Sequence, residues 1–150
     1  MSGAGRFAGR TVLVTGSTGM AASAARRIAA EDGVVMCVSR TRDHLETLAA
    51  EITGAGGTCV WHAADLRDEG EAEGAFAAFD ALGRRLDAVY GVAGISARRL
   101  GDGPIHEATL DGWNGVMAAN ATSQFLVARA AIRRMLARRQ PSPTHRCLRT

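Results

Sequence analysis

The sequence predicts an α/β protein built on a doubly wound parallel sheet, incomplete at about four strands. Short apolar runs alternate with Ala-rich runs of helical period along its 150 residues, which is the βαβα pattern. The first apolar run, Thr11-Val12-Leu13-Val14, is a β-branched segment of the kind buried on both faces of a parallel sheet. It passes directly into Thr15-Gly16-Ser17-Thr18-Gly19 and then into a helical stretch, a strand-turn-helix order suited to holding phosphate.

Each element follows in turn. Strand one is read at 11–14, and the first helix at 20–31 with Gly33 as its C-cap. A second strand spans 34–39, and a second helix spans 42–52 with Asp43 in its first turn. The Gly54-to-Gly57 cluster breaks the chain before a third strand at 58–63. A third helix covers 69–82 and stops at Gly83, and a fourth strand covers 86–92. After a polar loop at 94–108, one long helix runs from 110 to 139, ended by Pro141 and Pro143, which supply no N–H to continue it. The doubly wound rule orders the strands 3-2-1-4 and leaves strand four as an exposed edge. Residues 1–139 form one domain, and 140–150 are expected to be an unstructured tail.

Composition narrows the function classes. Apolar residues make up 47% of the chain, which is that of a globular protein, yet no run nears the roughly 18 to 20 residues that span a bilayer. No secretory leader is recognisable at the start, and an odd number of cysteines, Cys37, Cys59 and Cys147, fits a reducing compartment. A cytoplasmic address without membrane association is expected. Cys37 and Cys59 fall in strands and read as small buried hydrophobes. Cys59 and His62 point to opposite strand faces, and the four histidines are scattered, so no metal site is expected.

All 18 basic residues are arginine. Residues 1–128 hold 11 of them against 15 acids, a balance of −4, whereas residues 129–150 hold 7 and no acid, a balance of +7. The arginines at 129, 133, 134, 138 and 139 share a helix face, which reads as solvated rather than as a nucleic-acid surface because no aromatics interleave. Trp113 and Phe125 on the same helix read as core or subunit-contact residues, which admits a homo-oligomer through that helix.

Gly16 and Gly19 stand where the chain must bend and approach a pyrophosphate, with Ala22 where a third glycine often sits. Strand two ends in Ser39-Arg40-Thr41-Arg42 in place of the acid that holds the 2′-hydroxyl of NAD. Arg40 can pair with a 2′-phosphate, which favours NADP, or can be a solvated charge. Asp65, followed by Leu66, is placed either to accept from the adenine amino group or to cap the next helix. Gly91-Val92-Ala93-Gly94 presents small residues against which a flat cofactor can lie.

Together these stations resemble the short-chain dehydrogenase/reductase family over about residues 10–139, with its Rossmann-like fold. Thr15-Gly16-Ser17-Thr18-Gly19-Met20 is similar to its phosphate turn, Arg40 to its NADP-selecting residue, and Asp65-Leu66 to its adenine-contact pair. The resemblance implies that Gly16, Ser17, Thr18, Gly19 and Met20 hold the pyrophosphate and ribose, and that Ala93 and Gly94 hold the ribose beside the nicotinamide. It also implies that Asn120 is the catalytic-tetrad asparagine that kinks the last helix through a water. Two departures stand out. The glycine spacing is that of the family's extended and atypical branches, and Gly91 and Val92 replace the usual Asn-Asn.

The implied reaction is hydride transfer between NADPH and a small-molecule carbonyl or alcohol. The family's general acid is a Tyr assisted by a Lys four residues on, but this sequence has one tyrosine, Tyr90, and no lysine. The chain is therefore expected to be truncated before the catalytic Ser and Tyr-x-x-x-Lys and inactive alone. A non-catalytic NADP-binding or interaction module and a disrupted gene product are the alternative readings.

Overall fold

The computed structural model describes residues 5–96, 100–101 and 103–137. The order is β1 (Thr11–Thr15), α1 (Gly19–Ala30), β2 (Val34–Ser39), α2 (Arg42–Gly54), β3 (Thr58–Ala63), α3 (Glu69–Asp80) and β4 (Ala88–Gly91), then α4 (Leu110–Met117), a π-helical turn (Ala118–Thr122) and α5 (Ser123–Ala137). The strands form one parallel sheet in the order β3-β2-β1-β4, the predicted arrangement.

β1 is central and buried along its whole length. Because successive side chains leave opposite faces of a strand, Leu13 and Met36 enter the layer shared with α3 and α5, where Phe76 and Phe79 fill the core. Val12, Val14, Val35 and Cys37 enter the layer under α1 and α2 with Ile28, Leu45 and Leu48. Burying one such large side chain stabilises the fold by roughly 1.5–3 kcal/mol. Cys37 and Cys59 sit in this second layer with their sulfurs 3.9 Å apart.

The structure corrects several boundaries. α1 ends at Ala30, and the left-handed residue after it is Asp32 (φ 65°), not Gly33. Gly33 is needed for a different reason: a Cβ there would lie 2.7 Å from Ile28 Cγ2. α3 stops at Asp80 and is capped by Asp68, whose Oδ1 accepts from the Glu71 N–H at 2.9 Å. Asp65 therefore does not cap it. β4 is shorter than expected because Asp87, just before it, accepts from the Thr11 N–H at 2.9 Å, and the N–H groups of Val92 and Ala93 turn to the Thr15 hydroxyl.

The single long helix is in fact broken at Ala118–Thr122. Two of its arginines are engaged by ion pairs rather than simply solvated. Arg129 pairs with Glu69, while Arg134 reaches Asp80 at 2.8 Å and Glu73 at 3.2 Å, so α5 is laced to the acidic face of α3. Trp113 and Phe125 are 59% and 58% exposed, which removes the core reading for both. The expected tail at 140–150, and the arginines at 138 and 139, lie outside the described residues. No helix among the described residues is long and apolar enough to cross a membrane.

Candidate functional site

The C-terminal ends of β1, β2 and β3 and the segment after β4 surround a cleft of ≈ 300 Å³. Eight predicted site residues line it together: Gly16, Ser17, Thr18, Arg40, Asp65, Leu66, Ala93 and Gly94. Crevices at this end of an open parallel sheet are where such folds bind ligands.

The turn after β1 depends on Gly16. Its φ of 108° is open to glycine alone, a Cβ there would lie 2.8 Å from Ala21 Cβ, and its N–H donates to Val38 O at 2.7 Å. Gly19 (φ 53°) then opens α1. Thr18 precedes the helix in extended conformation without a side-chain capping bond, and the first turn carries no acid. The first N–H groups of the helix, with its positive dipole end, are thereby left for an external anion. Met20 does not join them through its side chain. It lies one residue into the helix, 71% exposed, in a separate shallow groove beside Tyr90.

The second wall comes from the end of β2. Ser39 and Ser17 share a hydrogen bond of 2.8 Å that ties the glycine turn to the end of β2, next to Arg40. Thr41 precedes α2 without a side-chain cap, and His44 in that helix also lines the cleft. His44 is thus not one of the scattered histidines without a place in the site. Its position four residues after Arg40, in the first turn of the next helix, was the available signal.

On the third wall Asp65 is bound by Arg67, whose Nε lies 2.9 Å and 3.0 Å from the two carboxylate oxygens. Those hydrogen bonds hold the Asp65 carboxyl below its usual range against the opposing effect of burial, with Arg40 adding a weaker attraction. The Arg67 backbone N–H also donates to Oδ1 at 3.1 Å and its Nη2 to Oδ2. The carboxylate's acceptor sites, about four in number, are thus all engaged, and a ligand amino group would have to share one of them with Arg67.

The last wall is set by contacts that no local pattern announces. Thr15 Oγ1 accepts from the N–H groups of both Val92 and Ala93 at 3.0 Å, and Gln124 Nε2 donates to Ala93 O at 2.7 Å. Asn120 does not line the cleft. Its Oδ1 accepts from the Ile95 N–H at 2.8 Å and its Nδ2 donates to Ile95 O at 2.9 Å, clasping the loop after β4. It does so from inside the π-helical turn, where Ser123 Oγ donates to Ala119 O at 2.6 Å. Gly91 and Gly94 leave room for this clasp. A Cβ at Gly91 would strike Gln124 Oε1, and one at Gly94 would come within 2.9 Å of Asn120 Oδ1.

With this geometry in place, comparison with known proteins is informative. The family model "short chain dehydrogenase" matches residues 10–142. A 2,5-dichloro-2,5-cyclohexadiene-1,4-diol dehydrogenase of Sphingobium indicum is 32% identical over 130 residues, covering 86% of this chain and 50% of that protein. Among solved structures, a citronellol catabolism dehydrogenase of Pseudomonas aeruginosa superposes with a TM-score of 0.78 at 30% identity, over 89% of this chain and 53% of the other. An actinorhodin polyketide ketoreductase with NADPH gives 0.79 at 28% identity, over 86% and 49%. The chain thus spans about half the length of the proteins it matches.

Proposed function

The chain belongs to the short-chain dehydrogenase family, and from that premise we propose that it is the NADP-binding part of an oxidoreductase acting on a small carbonyl or alcohol in the cytoplasm. The carrying observation is Arg40. It follows β2 at the cleft, where an NAD-preferring site needs an acid, and Asp65, the carboxylate among the residues lining the cleft, is already engaged by Arg67.

The residues fit this cofactor. Gly16 admits the pyrophosphate against backbone, and uncapped α1 offers it N–H donors. Arg40 and the uncapped start of α2 would meet the 2′-phosphate, Asp65 and Leu66 would hold the adenine, and Ala93 with Gly94 would hold the ribose next to the nicotinamide, all of these residues being at the cleft. Bound NADPH would supply the hydride. Asn120 acts as a positioning residue, holding the Ile95 segment where the nicotinamide end would sit.

Calorimetric titration of NADP and NAD tests this reading. NADP should bind more tightly, and equal or tighter binding of NAD would overturn it.

A specific observation favours binding without turnover by these 150 residues. They include no lysine, and Tyr90 borders the groove beside Met20 rather than the cleft. We expect no NADPH oxidation by the purified chain across a panel of carbonyls; measurable turnover would contradict this. Exposed Trp113, Met117, Phe125 and Ile132 on α4 and α5 further support pairing with a second copy, which sedimentation checks directly.

A further inference from the structure

At the opposite end of the sheet lies a second cleft of ≈ 280 Å³, which the proposed function leaves unused. Four guanidinium groups, those of Arg10, Arg84, Arg85 and Arg134, border it, against only two carboxylates, Asp80 and Asp87. We propose that it binds a small phosphate-bearing polyanion, independently of the nucleotide cleft.

The arginines converge for identifiable reasons. Asp87, only 8% exposed, is fixed by the Thr11 N–H on one oxygen and accepts from Arg10 and Arg85 on the other, which draws two guanidiniums from separate loops onto one rim. Arg134 is 21% exposed and anchored from α5 by Asp80 and Glu73, with its guanidinium 5.0 Å from the Phe76 ring centroid. Arg84 makes no ion pair among the described residues.

Each guanidinium carries five N–H donors in a planar fork. Three carboxylates, Asp80, Asp87 and Glu73, engage Arg10, Arg85 and Arg134 and leave Arg84 without an ion pair among the described residues, so its donors remain unmatched beside the cleft. The rim is partly organised before any ligand arrives, which lowers the ordering cost of binding. The C-terminus of α3 is close by, but the N–H groups of Ala81, Leu82 and Gly83 already engage the carbonyls of Ala77, Phe79 and Asp80, so the helix end presents fewer free acceptors to repel an anion. Phosphate matches the geometry because its oxygens accept paired N–H bonds from guanidinium.

The test is calorimetric titration of the intact chain with inorganic pyrophosphate at about 0.15 M chloride, where diffuse surface attraction is screened. Pyrophosphate could also reach the nucleotide cleft, so two variants separate the sites. Arg84→Ser breaks no ion pair, should unfold at the same urea concentration as the parent chain, and should weaken pyrophosphate binding about tenfold, the size of one charge-assisted hydrogen bond. Gly16→Val, which obstructs the turn assigned to the cofactor pyrophosphate, should leave this binding unchanged while abolishing NADP binding. No binding at this salt concentration, unaltered binding in Arg84→Ser, or loss confined to Gly16→Val would each overturn the proposal. Failure of the NADP reading leaves this test unaffected, since its readout is pyrophosphate at Arg84.

Discussion

The two flanks of the sheet are built from similar residues and end in different states. On the β2–β3 side, the interior residues of β1 and β2 are buried, and α2 buries Leu45, Leu48 and Ile52. On the β4 side, Ala88, Tyr90 and Gly91 are exposed, and α5 leaves Phe125, Ile132 and Leu136 each more than half exposed. Edge position alone does not explain the contrast, since β3 pairs only with β2 and β4 only with β1 among the described residues; β3, however, is packed against α2. Apolar residues become core only where a second layer covers them, and an uncovered strand edge remains open to other chains.

The sharpest test of this contrast uses two phenylalanines on the same side of the sheet. Phe76 in α3 is 0% exposed and Phe125 in α5 is 58% exposed. Phe76→Ala should cost about 3–5 kcal/mol in urea unfolding, and Phe125→Ala within about 0.5 kcal/mol. Similar costs would show that the β4 flank is covered in solution. The next largest effect is expected at the nucleotide end. Gly16→Val should cost about 1–3 kcal/mol through backbone strain and abolish NADP binding, because the added side chain meets Ala21 and holds α1 away from the cleft.

Arg40→Asp separates site chemistry from folding. NADP binding should weaken by about 1–3 kcal/mol while the urea midpoint stays near that of the parent chain, both read on one protein preparation. The smallest effect is a pH dependence at Asp87, beneath the β4 edge. Burial pushes its carboxyl up, but the Thr11 N–H, Arg85 and Arg10 pull it further down, leaving it below the ordinary aspartate range. Its folded value being the lower one, its contribution is fully present above the unfolded value of about 3.9 and is lost as pH falls through the folded value. Urea midpoints measured from pH 5 down to pH 3 should therefore fall less steeply in Asp87→Asn than in the parent chain.

Much of this was legible in the residues themselves. Strand order, the glycine turn and the placement of Arg40 and Asp65 at one crevice follow from periodicity and from signals a few residues long, which act wherever the segment lies. Helix ends were less legible. Asp65 and Asp68 are both plausible caps by type, and only the path of the chain into α3 selects Asp68. The break in the last helix was legible only through the family resemblance, which implies a kink at Asn120, since Ala118-Ala119-Asn120-Ala121-Thr122 contains neither proline nor glycine.

What the sequence by itself determined is the α/β class, the parallel strand order and the glycine turn between β1 and α1, because each arises from side-chain periodicity or from glycine's backbone freedom. Only the tertiary structure decided that Thr15 holds Val92 and Ala93, that Asn120 clasps Ile95, that the α5 arginines serve α3, and that Met20 turns away from the cleft. Thr15 and Ala93 are 78 positions apart. Their hydrogen bond exists because β1 and β4 end side by side, a proximity produced by packing that no local pattern encodes.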